Sequence, residues 1–290
     1  MREGTVELPD GRTLEYADWG SRHGAPVIYC HGSPGSRWEI NLPLKAVEAS
    51  GLEVRILAMN RPGFGQSTFQ AGRSFGDWPS DVAAAADQLG IGSFGVLGAS
   101  GGGPYALACG HELGDRVTRI GVVVGACPAI APGMAGSLAL TGPARNRLIR
   151  RLQYGMIGWA VRTGRIDSVV ERSIAALGSV DRKAMADPDL RQWFADLFVE
   201  AFVDLGRGAA YEQGLYLRDW DFDIGAVTQP TWLWYSGEDV NIPAEAGRWL
   251  ADQIPNAHFA VWRKHGHFTW ANSSDVVEVV ATVAGRLDRI

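Results

Sequence analysis

Short apolar runs recur along the chain, each bounded by glycine, proline or polar residues, and between them lie longer stretches in which apolar and small residues return at every third or fourth position. Pro26–Cys30, Leu52–Met59, Phe94–Gly98, Ile120–Val124 and Thr231–Tyr235 have the near-continuous hydrophobicity of strands covered on both faces. Trp38–Ser50, Pro79–Leu89 and Pro104–Leu113 carry the helical spacing. Ahead of them, Thr5–Leu8 and Arg12–Trp19 flank Pro9-Asp10-Gly11, whose turn chemistry predicts an antiparallel hairpin. A hairpin followed by strand and helix in alternation is the pattern of a mostly parallel sheet with helices on both faces.

The alternation stops after Cys127-Pro128 and resumes at Pro230-Thr231. Every element predicted between them is helical: Ala144–Val161, Asp167–Ala176, Asp187–Leu205 and Gly208–Leu217. A helix over Ala244–Ile254, a strand over His258–Trp262 and a helix over Ser273–Leu287 then complete the sheet region. The expected fold class is α/β, a mostly parallel doubly wound sheet with an inserted helical cap. Residues 1–128 and 230–290 would form the core and 129–229 the cap, which divides the 290 residues into one sheet domain and one insertion.

Composition narrows the classes of function. Hydrophobic residues at 46% and charged residues at 20% describe an ordinary globular chain. Its net charge of -5 comes from scattered charges, so a nucleic-acid partner, which needs a concentrated basic surface, is not expected. Cys30, Cys109 and Cys127 include no Cys-x-x-Cys pair and cannot form a disulfide framework. With no apolar leader near Met1, a reducing, cytoplasmic setting is the expectation. Ile120–Ala144 carries no charge but contains Pro128, Pro132 and Pro143 and five glycines, a poor match for one membrane-spanning helix. Two excesses stand out, 37 glycines and 11 tryptophans.

Chemistry enters with Phe94-Gly-Val-Leu-Gly98-Ala99-Ser100-Gly101-Gly102-Gly103-Pro104, a strand, a Gly-x-Ser-x-Gly turn and a helix. That context presents Ser100 at a sharp turn above a helix N-terminus, the posture of a nucleophile. The same serine could instead be a helix cap. A serine nucleophile needs a base, and the base needs an orienting carboxylate. Asp239 follows the strand that begins at Thr231, with Glu238 beside it as the competing acid. His267 and His265 follow the last strand and are the two candidate bases, His267 being favoured by its place before Phe268 and the final helix. The order Ser100, Asp239, His267 is the one this architecture requires. A metal held by His265 and His267 would lack a third ligand at recognisable spacing, so no metal and no cofactor is expected. The first core strand ends in His31-Gly32-Ser33-Pro34-Gly35. Pro34 has no N–H, leaving Ser33 and Gly101 as the two amide donors for a developing oxyanion.

Taken together, His31-Gly32-Ser33-Pro34-Gly35, Asn60-Arg61-Pro62-Gly63-Phe64-Gly65, Gly98-Ala99-Ser100-Gly101-Gly102 and Asp239 with Gly266-His267 resemble the α/β-hydrolase fold superfamily over the whole sheet region. The resemblance implies Ser100 as nucleophile, His267 as base, Asp239 as its partner and Ser33 and Gly101 as a backbone oxyanion hole. It implies a loop-bracing role for His31. The second motif departs from the family by opening with Asn60 in place of Asp, which weakens an expected bracing carboxylate. Serine at the elbow disfavours the chemistry of epoxide hydrolases and haloalkane dehalogenases, which carry Asp there. The residue after Ser100 is glycine rather than the Trp common in proline iminopeptidases.

The function expected is that of a serine hydrolase cleaving a carboxylic ester, thioester or lactone, with a small molecule as its partner. An aminopeptidase of the proline iminopeptidase type, carbon–carbon bond hydrolysis and perhydrolysis remain alternatives on the same triad, and a receptor-like binding module is the alternative from another class. Trp38, Phe64, Met134 and Leu138 are the expected substrate contacts. Trp159, Trp193, Phe194, Phe198 and Phe202 are expected mainly as cap core, and Glu171, Asp196, Glu200, Asp204 and Glu212 mainly as solvated acids.

Overall fold

The structure, a computed structural model, describes residues 1–134 and 145–287. β1 (Arg2–Glu7) and β2 (Thr13–Gly20) form the expected hairpin, with Val6 opposite Leu14. β2 also pairs antiparallel with β4 (Val54–Met59). From there β3 (Ala25–Cys30), β5 (Phe94–Ala99), β6 (Val117–Val123), β7 (Thr231–Ser236) and β8 (Ala257–Trp262) continue in parallel, giving an 8-stranded sheet of order β1-β2-β4-β3-β5-β6-β7-β8. Every residue of β4, β5 and β7 is buried, as continuous apolar runs in a parallel sheet require.

Helices cover both faces. α2 (Trp78–Gln88), α3 (Gly103–Leu113) and α9 (Ala244–Asp252) pack one core with Val82, Tyr105, Leu107 and Leu250. α1 (Asn41–Ala49) and α10 (Asp275–Val283) pack the other with Leu44, Val47, Val276 and Val279. Parallel strands bring their C-terminal ends to one edge, so the loops after β3, β5, β7 and β8 meet there. Ser33, Ser100, Asp239 and His267 each stand in one of those loops.

Between β6 and β7 the described residues form five α-helices: α4 (Arg147–Arg162), α5 (Ile166–Ala175), α6 (Ser179–Ala184), α7 (Pro188–Ala201) and α8 (Arg207–Glu212). The expected helix start at Ala144 lies outside the described residues. Several helices end earlier than the sequence expectation, α8 at Glu212 rather than Leu217 and α10 at Val283 rather than Leu287. α7 stops at Ala201 rather than Leu205: Phe202 (φ -112, ψ 16) already leaves the helix, and left-handed backbone at Leu205 (φ 48) and Gly206 (φ 66) bars its continuation. α6 had no counterpart, since six residues are too few to show a period.

The cap acids were expected to be solvated, and two are not. Glu212 of α8 is wholly buried and takes Arg61 Nε at 2.7 Å and Nη2 at 2.8 Å, Arg73 Nη2 at 3.2 Å and the Tyr105 hydroxyl at 2.7 Å. Glu200 of α7 accepts from Arg37 Nε at 3.0 Å. Glu171, Asp196 and Asp204 are exposed, as expected. Burial alone would raise the Glu212 carboxyl, but the Arg61 and Arg73 guanidinium groups outweigh it and hold Glu212 well below the usual carboxylate range.

Removing that carboxylate leaves two buried guanidinium groups short of a counter-charge. Glu212→Gln is therefore expected to destabilise the protein by about 3–5 kcal/mol, read as a lowered urea midpoint; an unshifted midpoint would contradict the role of this network.

Candidate active site

Ser100 sits between β5 and α3 with φ +49, a left-handed backbone that a non-glycine residue adopts only where its surroundings enforce it. Here the surroundings are glycine. A Cβ at Gly98 would overlap the Gly102 carbonyl, and a Cβ at Gly102 would overlap the Cys30 carbonyl of the neighbouring strand. Strand, turn and helix can therefore close up only because both positions lack side chains. The Ala126 amide donates to the Ser100 carbonyl at 2.8 Å, and the Tyr216 hydroxyl donates to the Gly101 carbonyl at 2.8 Å. The hydroxyl of Ser100 is left facing a cavity.

His267 Nε2 lies 2.8 Å from Ser100 Oγ, and His267 Nδ1 lies 2.7 Å from Asp239 Oδ2. Since Asp239 can only accept, Nδ1 carries the proton and Nε2 is free to accept from the serine. The second carboxylate oxygen, Oδ1, is fixed by the amides of Asn241 (2.7 Å) and Ile242 (3.0 Å). Burial would depress the His267 imidazolium, but the charge and hydrogen bond of Asp239, with the nearby Asp181 and Glu39, hold its pKa above the ordinary imidazole value. The structure brings Asp239 rather than Glu238, and His267 rather than His265, to Ser100. His265 instead faces Asp275 Oδ2 at 3.4 Å and stands against Trp262.

Ser33 borders the same cavity beside Gly101, so that a Cβ on Gly101 would fall 3.0 Å from the Ser33 amide nitrogen. Two amides are thus next to each other and next to the serine. Their loop is held from behind. His31 is fully buried, with Nδ1 2.8 Å from the Gly32 carbonyl and Nε2 3.3 Å from the Arg61 amide, the pattern of a neutral ring. Burial, reinforced by Arg61, pushes its pKa well down. Arg61 Nη1 and Nη2 donate to the carbonyls of His31 (2.5 Å) and Gly32 (2.9 Å). Asn60, expected to brace less well than Asp, uses both ends of its amide. Oδ1 accepts from the Arg37 amide at 2.8 Å and Nδ2 donates to Glu15 at 3.0 Å.

Of the carboxyl groups missed in the sequence, Glu39 lines the cavity itself. It is buried and accepts from the Gly32 amide (2.8 and 3.0 Å) and the Tyr29 hydroxyl (2.7 Å). Its signal was present: Glu39 precedes Pro43 and Val47 by one and two helical turns, on the face that is otherwise apolar.

A family model described as the alpha/beta hydrolase family matches residues 27–282. The chain belongs to that family. It is 25% identical over 276 residues to the AB hydrolase superfamily protein YisY of Bacillus subtilis (strain 168), covering 90% of this chain and 91% of that one. It is 27% identical over 254 residues to the 2-hydroxymuconate semialdehyde hydrolase of Pseudomonas putida, covering 85% and 82%. Among solved structures, the enol-lactonase from Burkholderia xenovorans LB400 superposes with a TM-score of 0.73 at 18% identity, covering 97% of this chain and 100% of that one.

In this alpha/beta hydrolase the cavity above Ser100 has a volume of ≈ 480 Å³. Its lining includes Trp193, Phe194, Leu197, Phe198 and Phe202 of α7 and the turn after it, together with Ile157 of α4. The aromatic stripe expected as cap core is therefore also cavity wall, because one helix face covers both. Trp159 is the exception, 53% exposed on the outer side. Of the expected substrate contacts, Met134 lines the cavity and Leu138 lies outside the described residues. Trp38 and Phe64 do not line it. Trp38 packs edge-on against Trp19 with the Arg37 guanidinium over its ring, and Phe64 is fully buried against His31 and Arg61. Loop position placed both near the site, but their side chains turn into the core behind it. No lysine or arginine lines the cavity among the described residues, and residues 135–144 contain no ionisable side chain. Among the described residues no group of three His, Cys, Asp or Glu is placed to hold a metal ion, and no helix is long and apolar enough to cross a membrane.

Burial pushes the Glu39 carboxyl up from 4.5 to about 7, with its hydrogen bonds opposing the rise. A carboxyl whose folded pKa is raised holds an extra proton in the folded state below about 7, so its contribution to stability declines as pH rises through that window and is fully lost above it. Glu39→Gln is expected to gain stability relative to the parent between pH 5 and pH 8, by a few kcal/mol at most on the order-of-magnitude scale of about 1.4 kcal/mol per pKa unit. Thermal melts of both proteins across that range check it, and a constant difference would refute the assignment.

Proposed function

We propose that the protein is a serine hydrolase that cleaves a carboxylic ester, thioester or lactone through an acyl-enzyme on Ser100, with the inserted helices of 129–229 as its cap. The observation that carries this reading is the unbroken chain from Ser100 Oγ to His267 Nε2 (2.8 Å) and from His267 Nδ1 to Asp239 (2.7 Å), at the floor of an apolar cavity. As base, His267 takes the Ser100 proton while Oγ adds to the substrate carbonyl. The amides of Ser33 and Gly101 receive the oxyanion. His267 then returns the proton to the leaving alcohol or thiol, and a water activated by the same imidazole releases the acyl group. Because the imidazole must be neutral, activity rises with pH through the His267 pKa, which stands above the ordinary value.

Cavity chemistry narrows the acyl group. Aromatic and aliphatic walls favour an apolar one. The lining includes a carboxyl, Glu39, and no described cation, so an acyl group bearing its own carboxylate meets no counter-charge. The aminopeptidase alternative is less well supported. It needs acids to hold an ammonium group, while Glu212 and Glu200 are already paired with arginines and the acid that lines the cavity, Glu39, is taken up by the Gly32 amide and the Tyr29 hydroxyl. Carbon–carbon bond hydrolysis is supported by the likeness to 2-hydroxymuconate semialdehyde hydrolase, and its substrate would have to be held without an arginine or lysine from the described residues.

A fluorophosphonate probe is expected to label Ser100, as read by peptide mass spectrometry. Ser100→Ala should lose turnover of a small aryl ester by at least about 10²-fold. Full turnover by Ser100→Ala would overturn the reading, and absence of labelling in folded protein would favour a binding module. On a panel of p-nitrophenyl esters, kcat/KM should be higher for hexanoate than for the hemisuccinate of similar length. Release of two carbon fragments from a β-diketone, with esters untouched, would favour carbon–carbon hydrolysis instead.

A further inference from the structure

The inserted helices do more than roof the cavity. Asp181, in α6, is completely buried. Its Oδ2 accepts the backbone amide of His267 at 2.8 Å and its Oδ1 accepts that of Phe268 at 2.7 Å. The preceding residue is glycine for a reason the geometry makes explicit: a Cβ on Gly266 would overlap all three atoms of the Asp181 carboxylate group. Thus the carboxylate occupies the place where a side chain of the histidine loop would otherwise be. Next to it the Gly266 amide donates to Thr269 Oγ1 at 3.0 Å, so three consecutive amides of this loop end on side-chain oxygens rather than on a regular ladder.

We infer that Asp181 is a positioning residue for His267, so that the inserted segment contributes a carboxylate to the working site and the base is correctly set only when α6 is docked. This rests on the reading of His267 as the base. Two effects follow from one side chain. By pinning consecutive amides, Asp181 fixes where the loop places the imidazole, and a displacement of about 1 Å at a reacting group is worth about 10²-fold in rate. Its charge also adds to the field on the ring. The charged and titratable groups facing His267 are Asp239 from the loop after β7, Asp181 from α6 and Glu39 from the turn before α1; Asp181 in turn faces His265, which pairs with Asp275. A carboxylate near an imidazolium stabilises the protonated form. Removing it lowers the His267 pKa and moves the acid limb of the rate profile to lower pH.

The test compares Asp181→Asn, Gly266→Ala and Asp189→Asn in the full chain, with the pH dependence of kcat/KM and the separate kcat and KM measured on an aryl ester. Asp181→Asn keeps the shape but loses the charge and turns an NH2 toward one of the two amides. It is expected to lower kcat by about 10–100-fold with KM within about twofold, and to shift the acid limb downward. Gly266→Ala leaves the carboxylate in the chain but forces it from its place, and should lower kcat in the same way; it keeps the question answerable if Asp181→Asn does not fold. Asp189→Asn removes an exposed pair between the same inserted segment and α1, Asp189 to Lys45 at 2.7 Å, and should change neither kcat nor the profile. A parental kcat and acid limb in whichever of the first two variants folds would overturn the proposal, as would an equal shift in Asp189→Asn. Should Ser100→Ala also remain active, the assignment of the nucleophile would fail rather than that of Asp181.

Discussion

The backbone of Ser100 stands at φ +49, and most of the molecule can be understood as what is needed to keep it there. A serine in that conformation is unfavourable by about 1–3 kcal/mol and persists only if its surroundings over-determine it. The parallel sheet supplies the first part of that determination. β3 lies against β5 in fixed register, Cys30 beside Gly98, so a Cβ on Gly102 would overlap the Cys30 carbonyl and no side chain fits there. The neighbouring strand on the other side supplies the second, through the chain just after β6, where the Ala126 amide holds the Ser100 carbonyl. Sheet order thereby becomes site geometry: had β3 and β6 not flanked β5, the turn would have neither of these constraints.

The remaining determination is electrostatic and comes from outside the sheet. Arg61 is buried behind the loop after β3, where its guanidinium holds the His31 and Gly32 carbonyls, and a buried cation is tolerable only with a carboxylate close by. Glu212 provides that carboxylate from α8, on the inserted segment. Asp181, from α6, reaches the histidine loop in the same fashion. Core and insertion are thus joined through buried polar groups as well as through the apolar cavity wall. Buried polar contacts tolerate separation poorly, because each carboxylate or amide left without its partner in a dry interior is strongly unfavourable. An apolar seam could slide with small loss; this one has discrete positions.

These distinctions explain which parts of the molecule were legible in the sequence. Strand runs, the hairpin and the Gly-x-Ser-x-Gly turn declare themselves because their determinants are local: period, turn chemistry and glycine spacing all lie within a few residues. The order Ser100, Asp239, His267 is legible for a related reason, since each residue follows a strand and strand ends share an edge. Trp38 and Phe64 show where this reasoning stops. Both lie in loops of the site, but a loop's position does not say which way its side chains turn, and both pack inward. The helix that periodicity carried to Leu205 ends at Ala201, and the left-handed backbone at Leu205 that bars its continuation leaves no compositional trace at a non-glycine residue.

Glu39, Asp181 and Glu212 share a deeper reason for having been overlooked or misread. An acidic residue on a helix is read as solvated because that is where unpaired charge is stable, and the reading fails only when partners distant in sequence make burial tolerable. Arg61 is 151 positions from Glu212 and the His267 amide is 86 from Asp181, so neither pairing leaves a local pattern. Of the three, Glu39 alone had a local sign, its place on an apolar helix face. A buried acid there, bonded to the Gly32 amide beside the serine, sets a limit on the chemistry as well. Under the proposed acyl transfer, an ionised Glu39 would oppose negative charge on the neighbouring oxyanion and a protonated one would not, so the same desolvation that raises its pKa would make the site more receptive to a tetrahedral intermediate.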